Sequence, residues 1–183
     1  VPNGHGTEAT LEGRRLWVVG STHLNPPAFT NRDYLLNPKL AAFADYLQAP
    51  SVYKCPSDRL KVDIGGGSYP RVRDYALNGY LGWQDPPVEA SYLSPRYRLF
   101  RNMADLGAAS PANLLQFVDT APGSVCNAGF VVYLGLSLPG MYYHLPNVLH
   151  RGQGNFSFAD GHVDARKWKD PETTQLAREK WIP

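Results

Sequence analysis

From Phe156 to Val163 the chain reads Phe-Ser-Phe-Ala-Asp-Gly-His-Val, apolar residues alternating with small or polar ones and broken once by Asp-Gly. Asp-Gly between alternating segments signals a hairpin, because the turns that suit two twisted antiparallel strands need the positive φ that Gly and Asp tolerate. A two-residue turn at Asp160-Gly161 sets Ala159 opposite His162, Phe158 opposite Val163, Ser157 opposite Asp164 and Phe156 opposite Ala165. Phe156, Phe158, Val163 and Ala165 then form an apolar face, and the other face stays polar as far as Trp168. The chain must therefore carry an antiparallel pair near its C-terminus with one side against a core.

Seventeen glycines and 16 prolines among 183 residues turn the backbone often and leave little room for long helices. A strand is expected at residues 14–20, and another at 51–55. Asn37 as cap and Pro38 at the first position predict a helix over 38–48, with Leu40, Phe43 and Leu47 on one face. Gly65-Gly66-Gly67 marks a turn; without a following Lys-Ser/Thr it is no phosphate loop. Residues 84–98 read as a loop, 102–106 as a single helical turn, and 114–118 and 130–134 as strands. Asp170 and Pro171 start a terminal helix. An early helix, scattered strands, long loops and a C-terminal hairpin followed by a short helix make an α+β fold on an antiparallel sheet. The length suits one domain over 1–183.

Charge is low and nearly balanced, 19% charged residues and +2 net, with 43% hydrophobic residues. A nucleic-acid partner is not expected, since no basic stripe runs through the sequence. Arg71/Arg73 and Arg96/Arg98/Arg101 read as solvated edges. The longest apolar stretch, 130–143, is interrupted by Gly135, Ser137, Pro139 and Gly140. No window reaches the ~18 apolar residues of a membrane span.

Four segments in order carry a resemblance. Val52-Tyr53-Lys54-Cys55-Pro56-Ser57-Asp58 contains Cys-Pro-Ser-Asp. Asp74-Tyr75-Ala76-Leu77-Asn78-Gly79-Tyr80 is similar to a Ser-Tyr-x-x-Asn-x-Tyr segment, with Asp74 in the serine place. Ser110 to Asp119 is similar to a Pro-x-x-Thr-hydrophobic-Phe-x-Asp strand. His150 precedes Asp160-Gly161 by nine residues. Together they resemble the prepilin-type, type II secretion pseudopilin-like proteins with a C-terminal H-X9-DG domain, found in planctomycetes, Verrucomicrobia and relatives.

The resemblance implies a pilin-like head whose sheet packs on the end of an N-terminal anchor helix. It implies a non-catalytic subunit of a type IV pilus-like or pseudopilus-like surface assembly, with other pilin-like subunits as partners. Localisation would be extracellular, at the cell surface or periplasmic, with the full-length form anchored in the inner membrane through that helix. The family's basic leader, peptidase site and apolar helix do not occur in these residues, so the chain reads as the head alone. His150, Asp160 and Gly161 would be its signature residues. The alternative is a secreted enzyme, or a carbohydrate-binding module with a polysaccharide as ligand, built on the same head.

Cys55 and Cys126 form no CxxC pair, which excludes a cysteine-rich zinc site. In an exported protein they read as a disulfide; the alternative is two buried thiols. His144, His150 and His162, with Asp160 and Asp164 among them, are residue types that ligate zinc or copper. The competing expectation, of no metal, has His150 hydrogen-bonded within 150–162 and pinning the Gly152–Gly154 loop. Calcium, which major type II pseudopilins carry in a C-terminal loop, needs more clustered oxygens than a turn at Asp160 supplies. Ser110, Ser124 and Ser137 lack a nucleophile elbow, and Asp119, at a strand end, reads as a turn residue or a base. No catalytic constellation emerges. Tyr69, Tyr75, Tyr80, Trp83, Tyr92 and Tyr97 read as loop packing or as an aromatic patch for subunits or sugar.

Overall fold

The computed structural model describes residues 1–4, 13–22, 25–84, 97–133 and 141–179. Its centre is a five-stranded sheet. In chain order its members are β3 (Tyr75–Asn78), β4 (Leu115–Asp119), β5 (Gly129–Phe130), β8 (Gln153–Phe158) and β9 (Val163–Lys167), arranged β5-β3-β4-β8-β9. All neighbours are antiparallel except β3 and β5 at one edge. Two small hairpins stand apart: β1 (Lys61–Ile64) with β2 (Gly67–Pro70), and β6 (Val132–Tyr133) with β7 (Met141–Tyr142). The expected α+β class on a mainly antiparallel sheet is the fold observed. Among the described residues no helix is long and apolar enough to cross a membrane.

Alternation sends the sheet's side chains to two layers. On one face Ala76, Val118 and Phe156 pack with Phe130, and Trp168 covers them. On the other, Leu77 and Phe117 meet Trp17, Val18, Leu35, Tyr53 and Ala128. Trp17 fastens this second layer: its Nε1 donates to the Ala128 carbonyl at 3.0 Å, and its ring meets Phe117 edge-on at 5.0 Å.

The segment around Trp17 is not the expected strand. Leu16 makes a lone parallel bridge to Ala41, while Trp17 N–H donates to Pro2 and Val19 N–H to Tyr34. With its amides shared among three segments, this buried stretch plugs the layer without joining a ladder. The same contact breaks the helix expected at 38–48. Asn37 Oδ1 caps Lys39 N–H at 2.9 Å as foreseen, but Ala42 N–H goes to the Leu16 carbonyl instead of continuing the i−4 series. The stretch 38–46 is a run of turns, and the early helix is α1, Asp33–Leu36. Leu40 packs on Leu16 and Val19, Phe43 on Trp17, and Leu47 is 37% exposed, so the predicted single face is divided. The strand expected at 51–55 does not form; Pro50–Tyr53 winds into a 3-10 turn with proline at its start.

Elsewhere the local signals hold. Asn102 and Asp105 form a reciprocal capping box on the 3-10 helix Met103–Ala108. Asp170 Oδ2 accepts from Thr173 N–H at 2.7 Å and opens α2, Pro171–Arg178. The loop expected at 84–98 falls mostly outside the described residues.

The C-terminal hairpin forms one residue out of the expected register. Ser157 faces Val163, Phe156 faces Asp164 and Asn155 faces Ala165. Phe158 N–H donates to the His162 carbonyl and Gly161 N–H to that of Phe158, which closes a three-residue loop, Ala159-Asp160-Gly161. Gly161 sits at φ 93°, the left-handed last position of a three-residue hairpin loop that a side chain would strain. A slip of one residue exchanges faces. Val163 consequently lies on the Ser157 face, 68% exposed, and the buried partner of Phe158 is absent. Phe158 stacks instead on His162, rings 3° apart with centroids at 4.3 Å.

Candidate functional site

On the Trp17 face the second layer covers β3 and β4 but stops short of β8 and β9. The uncovered half leaves an open groove of about 460 Å³ between the sheet and residues 43–53. Trp17, Phe43, Tyr53, Tyr75 and Phe117 line its walls, Asn155 and Ser157 its β8 side, and Leu47, Val52 and Val163 its exposed rim. Ser157 also explains an irregularity in the sheet: its Oγ accepts from Phe117 N–H at 3.1 Å, where the register between β4 and β8 shifts.

Asp119 ends β4 and lines the same groove. It faces Tyr75 across the sheet and is 1% exposed. Its Oδ1 accepts from Asn147 Nδ2 at 2.8 Å, and its carbonyl accepts from Asn147 N–H. Its Oδ2 lies 3.0 Å from His150 Nε2 but makes no aligned hydrogen bond. Burial raises the Asp119 pKa, against the opposing effects of Asn147 and His150. Burial, with Asp119 and Cys55 close by, pushes the Tyr75 hydroxyl up to about 12.

His150 starts a four-residue turn whose central residues, Arg151 and Gly152, both have positive φ, 57° and 81°. Gln153 N–H closes it on the His150 carbonyl at 3.2 Å, and β8 begins there. The imidazole is not held within 150–162, as expected, but turns back to Asp119 and to Cys55, whose Sγ is 3.4 Å from Nε2. The reason is topological: β8 lies beside β4, so the turn entering β8 stands next to the end of β4.

Cys55 leaves the 3-10 turn with its N–H on Asp74 Oδ2 at 2.7 Å. Asp74 Oδ1 accepts from Lys54 Nζ at 3.1 Å, and Lys54 also pairs with Asp58. Asp74 is fully buried and its pKa is raised by that burial, with Lys54 opposing. Asp74 N–H and carbonyl bind Tyr53 and Thr120, so one residue ties Cys55 to the sheet.

The expected disulfide between Cys55 and Cys126 does not form; both cysteines are buried free thiols. Each belongs to a separate cluster. Cys126 lies 2.9 Å from Nε2 of buried His144, whose Nδ1 accepts from Val131 N–H at 3.0 Å. Nε2 is therefore the protonated nitrogen, donating to sulfur. Burial pushes the Cys126 thiol up to about 11. The loop carrying Cys126 is held by Arg73, which was expected to be solvated. Its buried guanidinium donates to the carbonyls of Tyr75, Cys126 and Asn127, and burial lowers its pKa to about 10.

The residues considered for a metal are thus dispersed, with Asp164 paired to Arg166 at 2.8 Å on the exposed strand β9. His144 belongs to Cys126 and His150 to Cys55 and Asp119. Asp160 and His162 pair with each other at 2.6 Å on the exposed hairpin tip, which lowers the Asp160 pKa. Ser124 Oγ is occupied by Leu145 N–H, and Ser137 lies outside the described residues. The aromatic residues do not share one platform: Tyr75 lines the groove, Tyr80 meets Tyr97 edge-on at 6.0 Å, Trp83 is buried and Tyr69 is half-exposed on β2. Tyr92 lies outside the described residues.

Cys55, His150 and Asp119 have the composition of a nucleophile triad but not its geometry. A relay needs thiol and carboxylate on opposite ring nitrogens, whereas both lie against Nε2. Asn147, Asp74 and Lys54 carry the site's polar support. Asp74 and Lys54 stand inside segments singled out in the sequence, but nothing in the sequence marks Asn147. No protein-family model, no curated protein and no solved structure matches this chain.

Proposed function

We propose that the chain is the head of a pilin-like or pseudopilin-like subunit that serves assembly or surface display. The observation that carries this reading is convergence. Cys55, Asp74, Asp119 and His150 come from four segments that resemble one family in order, and they meet at one end of the sheet. Residues that hold a head together would cluster in this way. The groove beside them supports the same reading: it is apolar and open, a surface suited to one stripe of an apolar helix about 10 Å across.

In this reading the groove receives the helix that anchors the subunit, with Val52 and Val163 closing over it. The test is made on the full gene product. A basic leader, a processing site and about 20 apolar residues ahead of this chain are expected. Cysteines placed along that helix should cross-link to Val163→Cys but not to a cysteine on β2. A gene product without such a segment, or one that cross-links equally everywhere, refutes the proposal.

A further inference from the structure

The side chains of Cys55, Asp119 and His150 converge on a point, and the sequence motifs alone do not say why. Sγ, Oδ2 and Nε2 lie within 4.8 Å of one another, the one such group among the described residues. Hydrogen bonding leaves this cluster incomplete. Asp119 Oδ2 is buried without a hydrogen bond, and one imidazole nitrogen cannot direct a single N–H at both oxygen and sulfur. A buried carboxylate oxygen without a partner is costly unless a cation compensates it.

We propose that Cys55, Asp119 and His150 bind one Zn2+ ion, with the fourth position left open. A tetrahedral zinc ion with ordinary bond lengths places sulfur and nitrogen about 3.5 Å apart and nitrogen and oxygen about 3.4 Å apart. The corresponding distances are 3.4 Å and 3.0 Å. Seating the ion needs His150 and Asp119 about 0.4 Å further apart, and Sγ and Oδ2, which lie within 4.8 Å of each other, at about 3.6 Å. Thiolate and carboxylate supply two negative charges to a divalent cation, so the loaded site is neutral with a neutral imidazole.

The donor set selects the metal. Magnesium and calcium require oxygen donors, and a thiolate does not suit them. A carboxylate argues against copper(I), which favours thiolate and thioether. Zinc takes sulfur, nitrogen and oxygen together. The second shell is already in place: Asn147 holds the other oxygen of Asp119, and Asp74 fixes the backbone of Cys55. His150, with its side chain 28% exposed, leaves an entry from solvent. The ion would join three segments distant in sequence.

The test uses reduced, chelator-stripped protein titrated with Co2+ and then Zn2+. One Co2+ per chain is expected, with a thiolate-to-cobalt charge-transfer band that Zn2+ abolishes. Cys55→Ser, Asp119→Asn and His150→Asn should weaken uptake by more than the roughly 10–100-fold typical of losing an outer-shell partner, and Asn147→Ala by about that amount. Cys126→Ser should bind as the parent does. Melting curves in chelator identify which variants are folded; Asp119→Asn, relieved of a buried carboxylate, should melt no lower than the parent. Folded parent protein that takes up neither metal overturns the proposal. So does folded Asp119→Asn that takes up Co2+ as tightly as the parent, a charge-transfer band that survives in folded Cys55→Ser, or one that disappears in Cys126→Ser.

Discussion

The register of the C-terminal hairpin can be tested by two truncations that a two-residue and a three-residue turn rank differently. Phe156 is 9% exposed and packs against Val118, Ala76, Phe130 and, at 5.8 Å between rings, Trp168. Cutting it to alanine opens a cavity in that layer, so Phe156→Ala should cost about 3–5 kcal/mol. For a chain of this size that is a fall in Tm of roughly 6–20 °C. Val163 is 68% exposed on the groove rim. Val163→Ala should therefore stay within about 0.5 kcal/mol of the parent, the range of ordinary surface substitutions. With a two-residue turn, Val163 would share the inner face with both phenylalanines, and its truncation would cost well over 1 kcal/mol. Urea unfolding followed by far-UV circular dichroism, analysed at constant m, measures both. A Val163→Ala loss above about 1.5 kcal/mol would refute the three-residue loop.

Gly161→Ala should cost about 1–2 kcal/mol from backbone strain alone, because an added Cβ there meets nothing within 4 Å; differential scanning calorimetry would measure it. Gly154→Ala should cost about 1–3 kcal/mol by overpacking instead, its Cβ falling 2.9 Å from the Asn147 carbonyl and 3.1 Å from Trp168 Nε1; a blue-shifted or quenched tryptophan signal should accompany the loss. Asp119→Asn should change the pH dependence of stability in chelator. Burial raises the Asp119 pKa, so the folded state keeps a proton that the unfolded state releases. That contribution is fully present below the unfolded pKa and is lost as pH rises through the raised folded value, so the variant should fall less steeply across this window; parallel profiles would count against it.

Local chemistry was legible in the sequence where a residue decides its own surroundings. Asp170 with Pro171 starts the terminal helix as predicted, and the helical turn expected at 102–106 forms under a capping box of Asn102 and Asp105, because the groups these residues satisfy lie within three residues. The turn at Gly65-Gly66 likewise needs only its own backbone. Expectations failed where a distant segment competed for the same atoms. Asn37 capped a helix that could not continue once Leu16 took the N–H of Ala42. Cys55 and Cys126 formed an even pair in sequence, yet distances between chain segments decide bonding, and each sulfur found a histidine first. The hairpin showed a finer limit. Asp-Gly fits both a two-residue loop and the end of a three-residue loop, and only β4 packing on β8 selects between them.

The two cysteine–histidine pairs show why one can serve as a site while the other only packs. At Cys126 the account closes: His144 accepts at Nδ1, donates at Nε2, and a thiol with its pKa pushed up to about 11 stays neutral in a buried setting. Neither member of the pair carries a charge, and the imidazole has a structural task, since an apolar residue in its place would leave the buried Val131 N–H without an acceptor. At Cys55 the same two groups meet a third, Asp119, which is 1% exposed and whose Oδ2 has beside it the Nε2 of His150 at 3.0 Å but no aligned hydrogen bond. A chain under selection for stability alone would place asparagine there, since it could donate to His150 and carry no charge. An aspartate at that point makes sense when something positive enters from the solvent side, past the exposed edge of His150.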